Sequence, residues 1–307
     1  MDVVISSPRG FCAGVVRAIE IVELCIENYG PPIYVRHEIV HNPFVVQDLR
    51  DKGAIFITHL SDVPEGSTLI YSAHGVAPEV RREARKRKLH IIDATCPLVT
   101  KVHLEALKYA KENYSIILVG HQGHDEVIGT MGEAPDRTWL VATVEDAKKV
   151  DVQTPDRVVA LTQTTLSIND TRAIIAVLTT RFPGLIIRND ICYATANRQE
   201  AVKALAAQVD LILVIGAQNS SNCNRLREVA VTHGVRAHLI NGPTEIDPQW
   251  LEGIFTVGIT SGASTPEHLV QSVIAHLKPE EVRGLHVINE DIYFPLPKQI
   301  RNTRAVQ

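Results

Sequence analysis

Residues 8–14 read Pro8-Arg9-Gly10-Phe11-Cys12-Ala13-Gly14, and they join two different patterns. Before them runs the apolar stretch Val3-Val4-Ile5-Ser6; after them Val15, Ile19 and Val22 recur at helical spacing. Cys12 therefore lies where a strand hands over to a helix. The arrangement returns twice. Ile91-Ile92-Asp93-Ala94-Thr95-Cys96-Pro97 precedes a helix marked by Val102, Leu104 and Leu107. Leu185-Ile186-Ile187-Arg188-Asn189-Asp190-Ile191-Cys192 precedes one marked by Ala201, Val202 and Leu205. The cysteines are 96 − 12 = 84 and 192 − 96 = 96 positions apart. Three thiols at matching points of a repeated unit suggest one shared centre, and a helix N-terminus favours the thiolate form that binds metal.

Outward from these points, apolar strands alternate with helical patterns almost throughout, which predicts parallel sheets covered by helices. In each unit two further strands end in polar clusters. The first clusters hold His41, His124 and the run Ser220-Ser221-Asn222. They follow their cysteines by 41 − 12 = 29, 124 − 96 = 28 and 220 − 192 = 28 positions. The second clusters hold His74, Thr164 and Ser264, at 74 − 12 = 62, 164 − 96 = 68 and 264 − 192 = 72 positions. Ligands of doubly wound sheets bind beyond the carboxyl ends of the strands. Each unit thus offers a thiol and two polar loop ends, and three such units around an axis would line a closed cavity.

The fold class expected is α/β, with three pseudo-symmetric α/β domains, each with a mainly parallel sheet, around a central cavity. The boundaries expected are 13–96, 97–192 and 193–281. The third unit lacks a downstream counterpart of the strand before each cysteine, so residues 1–12 are expected to complete it. Residues 282–307 read as a tail of short strands and a Pro-bearing arm.

Composition narrows the classes. With 307 residues, 45% of them hydrophobic and 21% charged, the chain is long enough for two or three globular domains. A net charge of −4 gives no sign of a nucleic-acid partner. The basic run Arg81 to Lys88 has no interleaved aromatics and reads as a solvated helix face. Met1-Asp2-Val3-Val4 lacks the basic end of a signal peptide, and runs such as Leu211–Ile215 are too short to span a bilayer. A cytoplasmic protein with no membrane partner is expected. Five dispersed cysteines in that compartment suit metal ligands or free thiols better than disulfides.

Three cysteines from separate units suit zinc or an iron–sulfur cluster. Structural zinc draws its cysteines in close CxxC pairs, which are absent here. A cubane held by three thiolates leaves one iron open. Cys25 lies 13 positions along the helix from Cys12, roughly 20 Å at helical rise, and is too far to fill that place. Cys223, next to Asn222, stays a candidate for it. The polar clusters carry many donors and little fixed charge, which suits a diphosphate at helix N-termini. GxGxxG and GxxxxGK[ST] are both absent. Glu126, two residues beyond His124, is the expected proton donor if the cavity is closed and dry.

The stretches PRGFCAGVVRAI, YVRHEIVHN, SAHGV, DATCPLVTKVH, GHQGHDEVIGTMGE, TQTTLS, DICYATANRQEAV, NSSNCNRL and TSGAS resemble the 4-hydroxy-3-methylbut-2-enyl diphosphate reductase family over nearly the whole chain except the tail. The resemblance implies a trefoil of three α/β domains around one [4Fe-4S] cluster, held by Cys12, Cys96 and Cys192 with the fourth iron free of protein. It implies that His41, His74, His124, Ser220, Ser221, Asn222 and Ser264 hold the diphosphate, and that Thr164 orients the substrate alcohol and Glu126. Cys25 and Cys223 fall outside the implied cluster set. The implied reaction removes the allylic hydroxyl with two electrons from ferredoxin or flavodoxin, giving isopentenyl and dimethylallyl diphosphates. A zinc-dependent hydrolase or metal-stabilised binding module is the alternative.

Overall fold

The computed structural model describes residues 1–301, so residues 302–307 of the expected tail lie outside the described residues. The first stretch of chain forms β1 (Asp2–Ser7), α1 (Ala13–Tyr29), β2 (Ile33–Arg36), α2 (Pro43–Asp51), β3 (Ala54–Ile57), β4 (Thr68–Tyr71), α3 (Pro78–Lys86) and β5 (His90–Asp93). Next come α4 (Pro97–Lys111), β6 (Ser115–Val119), α5 (Asp125–Glu133), β7 (Thr138–Val141), α6 (Val144–Lys149), β8 (Val158–Thr162), α7 (Ile168–Arg181) and β9 (Ile186–Ile187). The remainder is α8 (Tyr193–Ala206), β10 (Leu211–Ile215), α9 (Ser221–Thr232), β11 (Arg236–Ile240), β12 (Thr256–Ser261), α10 (Glu267–Leu277), β13 (Val282–His286) and α11 (Lys298–Arg301). Among the described residues no helix is long and apolar enough to cross a membrane.

Three sheets result, ordered β3-β2-β4-β5, β7-β6-β8-β9 and β11-β10-β12-β1-β13, and every strand pair in them is parallel. The orders correspond position by position. β1 takes in its sheet the place that β5 and β9 take in theirs, and it too is the strand before a cysteine. β13 adds a fifth strand, with Val3 opposite Val282 and Ser7 opposite His286.

The chain divides into two compact units. One comprises residues 1–16, 41–46 and 193–293, and holds the five-stranded sheet. The other comprises residues 17–40, 47–192 and the described residues from Phe294 on, and holds both four-stranded sheets.

Parallel strands are covered on both faces, so their sequences run apolar without alternation. All five residues of β10 are fully buried. Leu211, Leu213 and Ile215 pack with Leu269, Val270 and Val273 of α10. Ile212 and Val214, on the opposite face, pack with Val202 and Leu205 of α8 and Leu226 of α9. The middle sheet repeats the scheme: Ile117 and Val119 meet Ile174 and Leu178 of α7, whereas Ile116 and Leu118 meet Val102 and Ala106 of α4.

Two elements depart from the pattern read in the sequence. The strand expected from Leu185 onward shrinks to β9, two residues long. Beyond it side chains replace the ladder, since the Asp190 N–H donates to Thr162 Oγ1 (3.1 Å) and the Asp190 carboxylate accepts from the Thr162 N–H (3.4 Å). Helix α5 occupies a stretch to which the sequence assigns no element, because Gly129 and Gly132 weaken the helical signal. A methyl group at Gly129 would lie 3.0 Å from the His103 ring, and one at Gly132 would lie 2.9 Å from Ala77 Cβ, so close packing excludes larger residues there.

Gly258 in the middle of β12 shows the same economy. A methyl group there would lie 2.9 Å from Leu205 Cγ and from Val209 Cγ2. Gly258→Ala is expected to destabilise the protein by about 1–3 kcal/mol through overpacking, read as a lowered urea midpoint at unchanged slope.

Candidate active site

The three cysteines that open helices are set by one recurring bond. The Cys12 N–H donates to the carbonyl of Ala263 (3.2 Å), the Cys96 N–H to that of Ala73 (2.9 Å), and the Cys192 N–H to that of Thr164 (3.0 Å). Each acceptor stands two residues past the end of the neighbouring strand: Ala263 past Ser261 of β12, Ala73 past Tyr71 of β4, Thr164 past Thr162 of β8. The cysteine carbonyls then start the helices, accepting from Val16 (3.0 Å) after Cys12 and from Thr100 (2.9 Å) after Cys96.

The five thiols fall into two classes. Cys12, Cys96 and Cys192 are partly exposed; Cys25 and Cys223 are buried. Burial pushes the Cys25 thiol up to about 12 and the Cys223 thiol up to about 11. Cys223 also packs against the backbone of Gly216 and Gly262, where a methyl group would collide with its sulfur. The helix-opening cysteines are therefore the ones fit to hold a metal group as thiolates, and the place on sequence open to Cys223 is closed by its packing.

In the unit with the two four-stranded sheets, α5 and the loop after β8 bring two titratable groups together. His124 caps α5, its Nδ1 accepting from the Glu126 N–H (3.2 Å). A neutral ring then carries its proton on Nε2, as a donor. The His74 ring stands edge-on to it, with centroids 5.9 Å apart. Glu126, 6% exposed, lies in the first turn of α5. Its carboxylate accepts from the Thr164 N–H (3.0 Å), and the Thr164 hydroxyl lies 2.9 Å from both of its oxygens. Thr164 is thus held on two sides, to Glu126 through its N–H and hydroxyl and to Cys192 through its carbonyl. Gln163 steadies the loop, accepting from the His121 N–H (3.0 Å) and donating to Thr165 Oγ1 (2.8 Å).

In the other unit, α9 starts three residues earlier than its apolar pattern indicates, because Ser220 caps it by accepting from the Cys223 N–H (3.4 Å). Ser221 and Asn222 consequently form its first turn, where the helix dipole favours an anion. Asn222 is 5% exposed, yet neither polar atom of its side-chain amide has a hydrogen-bond partner among the described residues. A buried orphan amide costs about 1–3 kcal/mol, and a ligand that pairs with it recovers that cost. Ser264 Oγ donates to the His41 carbonyl (3.0 Å), and Asn42 caps α2 by accepting from Phe44 and Val45.

The reading of the sequence passed over two groups around Cys12. Tyr193 Oη accepts from the Ala13 N–H (3.0 Å), and burial pushes its phenol up to about 12, so it stays protonated. Arg198, fully buried, donates to the Gly10 carbonyl (2.7 Å) and pairs with Glu290 (3.0 Å). In the stretch Asn197-Arg198-Gln199-Glu200-Ala201 the polar residues Arg198 and Gln199 are both buried while Glu200 is exposed, which marks α8 as more than a packing helix.

The LytB protein family model matches residues 3–278. The chain belongs to the LytB protein family. Among LytB relatives, the 4-hydroxy-3-methylbut-2-enyl diphosphate reductase of Actinobacillus pleuropneumoniae serotype 3 is 53% identical over 309 residues, covering 98% of either chain. That of Magnetococcus marinus is 53% identical over 306 residues, covering 98% of this chain and 100% of its own. The solved E-1-hydroxy-2-methyl-but-2-enyl-4-diphosphate reductase of Plasmodium falciparum superposes with a TM-score of 0.96 at 42% identity, over 100% of this chain and 98% of that one. A second solved structure, of an (E)-4-hydroxy-3-methyl-but-2-enyl diphosphate reductase, gives 0.66 at 34% identity over 90% of this chain and 99% of its own.

The two thiol classes differ in a way that can be read directly. At pH 8 a thiol with a pKa of 11–12 is ionised to about one part in a thousand or less. In the native protein Cys25 and Cys223 are expected to stay unmodified by iodoacetamide until urea unfolds the chain, as followed by peptide mass spectrometry.

Proposed function

We propose that the chain is the reductase that converts 4-hydroxy-3-methylbut-2-enyl diphosphate into isopentenyl and dimethylallyl diphosphates, with two electrons and two protons consumed and one water released. The observation that carries this reading is the recurring bond that sets Cys12, Cys96 and Cys192 alike at three helix starts. The names of the relatives just described supply the substrate.

In this reading Cys12, Cys96 and Cys192 hold one [4Fe-4S] cluster, and the two buried thiols take no part. Bound there, the cluster supplies Lewis acidity toward the allylic hydroxyl and a path for single electrons from ferredoxin or flavodoxin. The diphosphate is held by His41, His74, His124, Ser220, Ser221, Asn222 and Ser264. His124 contributes its Nε2–H as donor, and the Asn222 amide gains the partners that the protein denies it. Thr164 fixes the orientation of Glu126, whose carboxyl oxygen gives up and regains the proton that lets the hydroxyl leave as water. No Lys or Arg belongs to this set, so its hydrogen bonds orient the anion without neutralising Glu126.

Three domains, 13–96, 97–192 and 193–281 with 1–12, each contribute one cysteine and two loops, in a cytoplasmic enzyme. The test is anaerobic purification followed by iron and sulfide analysis and by turnover with a strong artificial reductant. Iron and sulfide near four per chain with formation of both products is expected; zinc alone without turnover would overturn the reading.

Glu126→Gln keeps the shape and a hydrogen bond but carries no transferable proton. It is expected to retain the metal group and substrate affinity by calorimetry, while turnover falls by a factor on the order of 10²–10⁴. Near-normal turnover would remove Glu126 from the proton path.

A further inference from the structure

One cation lies a turn and a half into the helix that follows each cysteine: Arg17 at 17 − 12 = 5, Lys101 at 101 − 96 = 5 and Arg198 at 198 − 192 = 6 positions. Each of the three reaches the loop of another cysteine, and Arg198 Nη1 also donates to the Ala194 carbonyl (3.1 Å) in its own helix. Arg17 Nη1 donates to the carbonyls of Ala94 (3.2 Å) and Thr95 (3.1 Å), directly ahead of Cys96. Lys101 Nζ donates to the carboxylate of Asp190 (2.9 Å), two residues ahead of Cys192. Arg198 Nη2 donates to the carbonyl of Gly10 (2.7 Å), two residues ahead of Cys12. The series closes on itself: the helix of the first cysteine holds the loop of the second, that of the second the third, and that of the third the first.

Each of these contacts lies inside one compact unit, and each has further bonds behind it. Arg198 is fully buried and its charge is met by Glu290 at 3.0 Å, which also accepts from Asn197 Nδ2 (3.1 Å). Arg17 Nε donates to the Pro295 carbonyl (2.9 Å). Asp190, 6% exposed, is locked by its bonds with Thr162. Glu290 and Pro295 belong to the segment after residue 278, beyond the span of the family model.

Gly10 is at φ +66°, with its N–H on Ser261 Oγ (2.9 Å) and its carbonyl on Arg198. Charge-assisted bonds to a backbone carbonyl or a carboxylate are among the stronger ones available. Resting on the reading of Cys12, Cys96 and Cys192 as ligands, we propose that Arg17, Lys101 and Arg198 are positioning residues, each fixing the loop of the next cysteine in the series.

The addressing makes the test specific. Hydrogen–deuterium exchange of the purified protein, read by mass spectrometry, reports on residues 8–14, 92–98 and 188–194. Lys101 is half exposed, so Lys101→Met folds irrespective of its role. It is expected to speed exchange in 188–194 about tenfold, as for loss of one charge-assisted bond, with 92–98 unchanged. Lys101→Arg, which can still reach Asp190, should restore protection. Arg17→Met should act on 92–98 and not on 8–14; Arg198→Met, which also gives up the bond to the Ala194 carbonyl, should act on 8–14 more than on 188–194. Faster exchange around the cysteine of the variant's own helix in Lys101→Met or Arg17→Met, equal acceleration in all three loops, or none at all in Lys101→Met would each overturn the proposal. Exchange is compared between samples of equal iron and sulfide content, and iron and sulfide analysis of the unaltered protein tests the ligand reading separately.

Discussion

The bond on which the rest of the site depends is the one from a cysteine amide to a carbonyl two residues past the end of the next strand. Parallel order makes that bond possible, because neighbouring strands of a parallel sheet end on the same side and their loops rise together. A cysteine placed there has its amide fixed on the strand side, and in Cys12 and Cys96 the carbonyl is committed to the helix, which gives the side chain a rigid mount. The bond occurs three times with a different residue as acceptor each time, Ala73, Thr164 and Ala263. The geometry is therefore a property of the backbone, and the side chains at the acceptor positions are free to serve other purposes. Thr164 uses that freedom to hold Glu126.

Electrostatics divides the molecule's polar groups into those already satisfied and those kept waiting. Glu126 has its carboxylate clasped by Thr164, and His124 has one nitrogen committed to the helix it caps. Asn222 is buried with both ends of its amide unpaired. The first arrangement fixes direction for a proton; the second stores a binding demand that an anionic oxygen and a hydroxyl could meet. The cationic side chains that touch the cysteine loops do so through carbonyls and one carboxylate.

Much of this was legible in the residues. Continuous apolar runs such as Leu211–Ile215 announce strands covered on both faces, and the spacing from cysteine to polar cluster shows that a unit recurs. The helix-opening cysteines stand out because each follows such a run. The parts that stayed hidden share a cause: their signals belong to tertiary contacts. A strand at the start of the tail is expected, but its place beside β1 is not: β13, Val282-Arg283-Gly284-Leu285-His286, is an exposed edge strand with no apolar face to mark its partner. The glycines of α5 look like loop residues until the neighbours that they admit are known. Arg198 looks like a surface charge until its carbonyl and its glutamate are both in place. The inertness of Cys223 needs the two glycine backbones that enclose it.

The placement of β1 has a consequence for time. Val3 lies opposite Val257, and the Cys12 amide waits for the carbonyl of Ala263. Cys96 and Cys192 find their acceptors, Ala73 and Thr164, upstream in the chain, already made when each cysteine emerges during synthesis. Cys12 has its acceptor about 250 residues downstream, and closing a loop of that length costs about 5 kcal/mol of chain entropy. The strand made first must be held in reserve until the last sheet offers it a slot. Loading of any metal group that needs all three thiols is thereby deferred until synthesis has passed residue 263, and a chain truncated before that point retains two of the three mounts.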